Sequence, residues 1–398
     1  MDRRPTAVCI IDENLPVPRD PRVWREARAL TEAGYLVTVI CPKGLGLENA
    51  HEILDGVEIY RHPAFEASTR LGYLIEYSWA LTVEFFLTIR IYTTTRFRIL
   101  HASNPPDIVF LIALFWKLFG VRFVYDQHDP APELYEAKFQ SKGFFYWLTR
   151  FAERLTYRTA NVVIATNDSC RDIALIRGGV SSDRIFVVHS SPALEDFCLP
   201  MPRAELKQSR KHLVVYVGIM GPQDGIDMLL ESIEYLVIQN GRRDTLFVLI
   251  GPGPEQPRLK SVAAARGLEE WVRFTGGLYG DDLLLYLATA DVGVAPDPGN
   301  DFNDKLTMIK ILEYQACGLP VVLYDLVEGR RSAGQGALYA RRNDPIDFAD
   351  QIAKLLDSES LRHRLGGTGR KRIEVSLNWE IEKQVLFKAY ETALRKPL

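Results

Sequence analysis

Apolar and polar positions come in alternating blocks. Ala7-Val8-Cys9-Ile10-Ile11 is a continuous apolar run, the pattern of a strand covered on both faces of a parallel sheet. A helical period follows from Asp20 to Ala33, with Val23, Ala27 and Leu30 on one face and Gly34 to close it. Leu36-Val37-Thr38-Val39-Ile40 returns to strand. The same reading predicts strands over 57–60, 108–111, 123–125, 162–165 and 185–188. The pattern lapses over 191–211, where Pro192, Pro200 and Pro202 sit among charges. It restarts with a strand over 213–218, a helix over 225–236, and strands over 246–250, 272–275, 292–295 and 320–324. A long helical segment closes it over 379–394. Such alternation predicts an α/β chain of two doubly wound, Rossmann-like domains facing across a cleft. Residues 1–195 form the first domain, 196–211 a linker and 212–378 the second. The helical segment 379–398 is able to cross back to the first.

A length of 398 residues suits two domains of ordinary size. Apolar residues make up 47% and charged residues 25%, as in a globular protein, and the net charge of −3 argues against a general nucleic-acid binder, though not against a local basic patch. Cys9, Cys41, Cys170, Cys198 and Cys317 are odd in number and have no zinc spacing, which fits free thiols in a reducing compartment. No signal peptide is visible. The apolar run 108–116 is far short of the ~20 residues a membrane span needs, and Glu76, Glu84 and Arg90 interrupt the longer stretch 71–97. The expectation is a soluble or peripheral protein.

Candidate chemistry gathers in loops after strands, where doubly wound sheets bind ligands. Gly218-Ile219-Met220-Gly221-Pro222-Gln223-Asp224-Gly225 follows one strand, and Gly251-Pro252-Gly253-Pro254 follows the next. Glycines there let backbone N–H groups approach a ligand, or simply make a tight strand-to-helix turn. Asn303-Asp304-Lys305-Leu306-Thr307-Met308 runs into a short helix that carries Lys310 and Glu313 one turn apart and ends at Gly318, before Pro320 opens a strand. A helix start offers N–H groups to phosphates, and a carboxylate can grip a ribose. The alternative is a surface ion pair. In the first half, His128 and Asp129 directly follow the strand that ends near Tyr125. Asn14, Arg19 and Arg22 sit in or beside the loop after the first strand, Arg22 being the best phosphate contact, with Asp20 read as a helix cap.

These residues carry a resemblance. The segments 213–230 and 274–322, with the turns at Gly218 and Gly251, resemble the donor half of family 4 glycosyltransferases with the GT-B fold, and the first half is similar more loosely. The resemblance implies retaining transfer of a sugar from a nucleoside diphosphate sugar, with no metal and no further cofactor. It gives Glu313 the ribose hydroxyls. It implies a His near 128, beside the acceptor and the reacting sugar, that orients and polarises. The family usually has a second Glu eight residues before, where Lys305 stands here. The usual Arg and Lys for the diphosphate are replaced by Ile219 or Met220 and Gln223 or Asp224. Lys310, with Lys305, would then supply that charge. The donor set is Gly218, Gly221, Gln223, Asp224, Gly251, Gly253, Lys305, Leu306, Thr307, Met308, Lys310 and Glu313. The catalytic set is His128, Asp129, Lys310 and Glu313. Asn14, Arg19, Arg22 and His128 are left for the acceptor. Two alternatives stay open: a catalytically inert sugar-nucleotide-binding subunit and a sugar-nucleotide epimerase of the same fold.

Two segments mix aromatics with apolar or basic residues. A helix after Gly143 puts Phe144, Trp147, Leu148, Phe151 and Leu155 on one face and Arg150, Arg154 and Arg158 on another. This suits either an amphipathic cover for the sheet or a helix lying on an anionic leaflet. With the aromatic stretch 73–92, segment 138–158 points to peripheral membrane contact and a lipid-linked acceptor in surface polysaccharide or glycolipid assembly. The matching location is cytoplasmic, at the inner face of the cytoplasmic membrane.

Overall fold

The computed structural model describes residues 5–63 and 70–395. The chain divides into two compact units: 1–189 together with 382–398, and 190–381.

The first unit runs β1 (Ala7–Ile11), α1 (Pro21–Glu32), β2 (Leu36–Pro42), β3 (His51–Leu54), β4 (Val57–His62), α2 (Arg70–Thr95), β5 (Ile99–Ser103), α3 (Phe110–Lys117), β6 (Arg122–Gln127), α4 (Ala131–Phe139), α5 (Phe144–Thr159), β7 (Val162–Ala165), α6 (Asp168–Asp172) and β8 (Ile185–Val187). Its sheet has the order β3-β4-β2-β1-β5-β6-β7-β8, parallel except for the β3–β4 hairpin. Cys9, Ile11, Leu100, Ala102, Phe123, Tyr125 and Val163 point to one side, into a core shared with Ile91 of α2, Ile112 and Trp116 of α3, and Tyr157 of α5.

The second unit runs β9 (His212–Val217), α7 (Ile226–Glu234), β10 (Thr245–Ile250), α8 (Gln256–Ala265), β11 (Val272–Gly276), α9 (Gly280–Thr289), β12 (Val292–Ala295), α10 (Ile309–Ala316), β13 (Val321–Tyr324), α11 (Val327–Ala333), β14 (Ala337–Ala340), α12 (Pro345–Asp357) and α13 (Glu359–Val375). Its sheet is wholly parallel, in the order β11-β10-β9-β12-β13-β14. In both sheets the order reverses beside the first strand, between β1 and β5 and between β9 and β12. The loops leaving those strands are the ligand-binding edge of a doubly wound sheet.

A final helix, α14 (Trp379–Arg395), starts in the second unit, and its residues from Glu382 onward belong to the first. Leu386, Ala389, Tyr390 and Ala393 are fully buried, a single helical stripe. Tyr390 Oη lies 2.6 Å from His101 Nδ1 on β5, and Glu382 takes the backbone N–H of His189 at 3.0 Å.

Two sequence readings change. Residues 108–111 enter and begin α3 rather than forming a strand; the strand is β5 just before, whose His101 and Ser103 broke the apolar pattern. An apolar run as long as 108–116 has no period to separate a buried strand from a helix. The stretch 196–211 is not a free linker. It folds with the second unit, where the Arg203 N–H donates to Thr289 Oγ1 at 3.0 Å and Lys207 Nζ meets Asp291 at 2.8 Å. Part of 73–92 lies outside the described side chains, Tyr73 among them.

Candidate functional site

In the first unit the candidates sit on the loops after β1, β5 and β6. Asp20 caps α1, accepting from the N–H groups of Arg22 and Val23 at 2.9 Å each. That turn aims Arg22 inward. Its guanidinium forks onto both oxygens of Asp126, at 3.0 and 2.8 Å, and donates to the Val188 carbonyl at 2.8 Å. Arg22 and Asp126 are both buried. Asn14 and Arg19 stay exposed on the loop, with Asn14 Nδ2 on the Asn104 carbonyl at 3.2 Å.

Asp126 also holds His128, whose Nε2 lies 2.8 Å from Asp126 Oδ2. Burial disfavours charge on the imidazole, but the Asp126 carboxylate outweighs it and lifts the His128 pKa to about 9. At neutral pH His128 is therefore a cation, a donor rather than a base. Burial acts against charge on Asp126 as well. Arg22 and His128 reverse this and hold its carboxyl well below the ordinary range. Buried Asn104 fixes the backbone here: its Oδ1 accepts from the His128 and Asp129 N–H groups at 2.7 and 3.2 Å, and its Nδ2 donates to the Asp129 carbonyl at 2.7 Å. Asp129 has its pKa raised by burial, with His128 and Lys138 opposing.

Beneath His128 lie Glu26 and His101, residues that sequence spacing did not connect. His101 Nε2 is 3.7 Å from Glu26 and 3.6 Å from Asp126. These three could hold a cation, as could Glu13, His62 and Glu84; in each trio one ligand atom per residue lies within 4.8 Å of the others. The members of each trio are scattered along the sequence, so ligand spacing did not reveal them. In the first trio Arg22, 3.2 Å from Glu26, already supplies a positive charge.

In the second unit the two glycine turns pack on each other. A Cβ at Gly251 would stand 1.9 Å from the Gly218 carbonyl oxygen, and one at Gly253 would stand 2.4 Å from that of Met220. The Met220 N–H donates to the Pro252 carbonyl at 2.8 Å. These glycines are required for backbone to meet backbone. Gly225, at φ 73°, starts α7 against the Pro296 carbonyl, 2.1 Å from where a Cβ would be. Asp224 folds back to accept from the Gly221 N–H at 2.8 Å, while Gln223 is exposed.

Lys310 is where these loops converge. Its Nζ lies 2.8 and 3.1 Å from the oxygens of buried Asp297, after β12, and 4.9 Å from the centre of the Tyr216 ring. Its Cε is 3.3 Å from where a Cβ on Gly218 would stand. Burial opposes the ammonium charge, but Asp297 more than restores it. Sequence reading missed Asp297, which lies thirteen positions before Lys310 in a loop of prolines and glycine. Leu306, Thr307 and Met308 lead into α10 and are half-buried. No side chain caps the start of α10, which leaves its first N–H groups at the strand edge. Glu313 is half-buried one turn further on. Lys305 donates to the Asp301 carbonyl at 2.8 Å.

A family model described as "Glycosyl transferases group 1" matches residues 211–358, and one described as "Glycosyl transferase 4-like domain" matches 20–190. Alpha-D-kanosaminyltransferase of Streptomyces kanamyceticus is 26% identical over 226 residues, covering 55% of this chain and 57% of the relative. The matched stretches span about half the length of the curated relatives. Sucrose-phosphate synthase from Thermosynechococcus elongatus superposes with a TM-score of 0.79 at 17% identity, over 98% of this chain and 99% of its own. HepE of Anabaena, solved with UDP and glucose, gives 0.71 at 15% identity, over 97% and 100%. Both matched structures share the fold. With two parallel-sheet α/β units, each carrying its loops at the sheet's reversal point, the chain belongs to the family 4 glycosyltransferases of GT-B fold.

Proposed function

We propose that the protein is a retaining, metal-independent glycosyltransferase that takes its sugar from a nucleoside diphosphate sugar. One observation carries this reading. At the reversal point of the second sheet, an uncapped helix start, a buried lysine and a carboxylate one turn along sit together beside a glycine turn. Helix N–H groups and Lys310 would meet the diphosphate, on which negative charge grows as the glycosidic bond breaks. Glu313 would take the ribose hydroxyls. Asp297 keeps Lys310 charged and aimed. In the first unit His128, as a cation, would donate to the acceptor or reacting sugar. Binding of a UDP-sugar is supported by the HepE comparison, which was solved with UDP.

The acceptor is proposed to be lipid-linked. On α5 only Leu155 of the named apolar face packs against the core: Phe144, Trp147 and Phe151 are 76, 61 and 60% exposed, while Tyr146, Ala152 and Tyr157 are buried. Ile75, Trp79 and Phe86 of α2 are also exposed. That supports peripheral contact with a cytoplasmic leaflet. No helix among the described residues is long and apolar enough to cross a membrane.

The Lys310–Asp297 pair also favours a second reading, an inert binder, because it cancels part of the charge offered to a diphosphate. A thermal-shift panel of sugar nucleotides, followed by assay of nucleoside diphosphate release with membrane lipid extract, separates the two. A transferase shows a shifted midpoint and lipid-dependent release. A shift without release supports the binder, and no shift with any sugar nucleotide defeats both.

A further inference from the structure

A second feature of the first unit lies beside the His128 loop. A cavity of about 160 Å³, partly open to solvent, is bounded by α2, α4, α5 and the segment after β5. It is lined by Tyr77, Ile108, Leu134, Phe139, Phe145 and Leu148, together with Pro105 and Pro106. The lining is overwhelmingly apolar, and the acid in it, Asp107, accepts the Tyr125 hydroxyl at 2.5 Å. An apolar cavity of this kind admits hydrocarbon and repels polar ligands.

Two observations fix the occupant. First, the walls are continuous with the candidate acceptor loop. Pro105 follows Asn104, which holds the His128 and Asp129 backbone, and Ala131, another wall residue, follows that loop by two positions. A chain lying in the cavity would therefore have its head near His128. Second, the surroundings are cationic and aromatic. Lys138 lines the cavity, Lys142 stands before α5 with Glu136 3.0 Å from its Nζ, and the Arg150 guanidinium lies 5.9 Å from the centre of the exposed Trp147 ring. That is the complement of an anionic lipid headgroup at a membrane surface.

We infer that this cavity takes a hydrocarbon chain of the lipid acceptor, drawing it partly out of the leaflet, an assignment that rests on the transferase reading above. The head is then presented from a fixed anchor instead of by adsorption of the helices alone.

The test uses vesicles of phosphatidylcholine and phosphatidylglycerol in which a fraction of the phosphatidylglycerol carries a photoreactive diazirine in one acyl chain. After irradiation with the intact protein, labelled residues are mapped by mass spectrometry. Labels are expected on Leu134 or Phe139. In Leu134→Trp, which fills the space, these labels should fall at least fivefold with vesicle binding unchanged. Labels confined to Phe144, Trp147 and Phe151, or no labels at all, would overturn the inference. So would cavity labels indifferent to Leu134→Trp. If that variant fails to fold, Leu148→Trp fills the same space from α5. Nucleoside diphosphate release is measured with the same protein and vesicles after membrane lipid extract and each sugar nucleotide that shifts its midpoint have been added. Release without cavity labelling defeats the cavity alone, whereas labelling without release defeats the transferase reading and, with it, the role as an acceptor site.

Discussion

Asp126 holds two cations at once, and its removal should be felt by both. In Asp126→Asn the His128 pKa should fall from about 9 toward its ordinary value near 6.5, read by NMR titration of the imidazole. Arg22 would be left buried with Glu26, 3.2 Å away, as its remaining close counter-charge, and breaking a buried pair costs about 3–5 kcal/mol. A His128 titration unmoved by the change would show that the ring is held charged by something else. In the second unit, Lys310→Met should reduce turnover at least tenfold, and Asp297→Asn should do so less, because the lysine remains while its aim is lost. Equal losses would mean that the pair works as a unit; an unaffected Lys310→Met would remove it from the chemistry. That His128 follows a strand, and that Lys310 and Glu313 share a short helix, was legible in the sequence. Asp297, Asn104 and Asp126 were not. Their importance lies in which distant residue they touch, and that depends on folding.

At the scale of elements, α5 is the informative case. Its sequence showed an aromatic face, but periodicity cannot tell whether such a face turns inward or outward. In the structure a different set, Tyr146, Ala152, Thr156 and Tyr157, makes the inward contact. Replacing Phe144, Trp147 and Phe151 together with serine should therefore leave the thermal midpoint within a few degrees. Sedimentation with anionic vesicles should drop at least tenfold. A triple variant that unfolds would show that the face is structural after all. The elements were otherwise legible where apolar runs were short and bounded by glycine or proline. They were not legible at β5, where a buried histidine and serine interrupt the run, nor at β3, a polar hairpin strand.

At the scale of the whole molecule, several buried ionisable groups of the first unit shift the same way. Burial pushes Glu26 to about 7, Asp107 to about 6 and Glu153 to about 7. His128 is lifted to about 9 by Asp126 against its own burial. Groups whose folded pKa is raised stabilise fully below their unfolded values, and that contribution is lost as pH rises through the folded ones. Asp126, held low, works only at the acid end. The thermal midpoint should therefore be higher near pH 5–6 than near pH 9.5, and His128→Gln should flatten the alkaline part of that fall. A midpoint that rises steadily to pH 9.5 would contradict the sign. Domain number and fold class were legible at this scale. The exact division was not, because 196–211 and 382–395 join units by contacts their composition does not announce.

Those last residues matter in time as well as in space. The first unit buries the stripe of α14 from Leu386 to Ala393 and seals His101 with Tyr390. Leu386→Ala should cost about 2–5 kcal/mol, measured by chemical denaturation. On the ribosome, however, that stripe emerges only after every residue of the second unit. The half of the protein made first is thus the half completed last. Until then a nascent first unit offers an apolar seam to chaperones, and a fragment ending at the unit boundary should remain aggregation-prone unless α14 is supplied as a separate peptide.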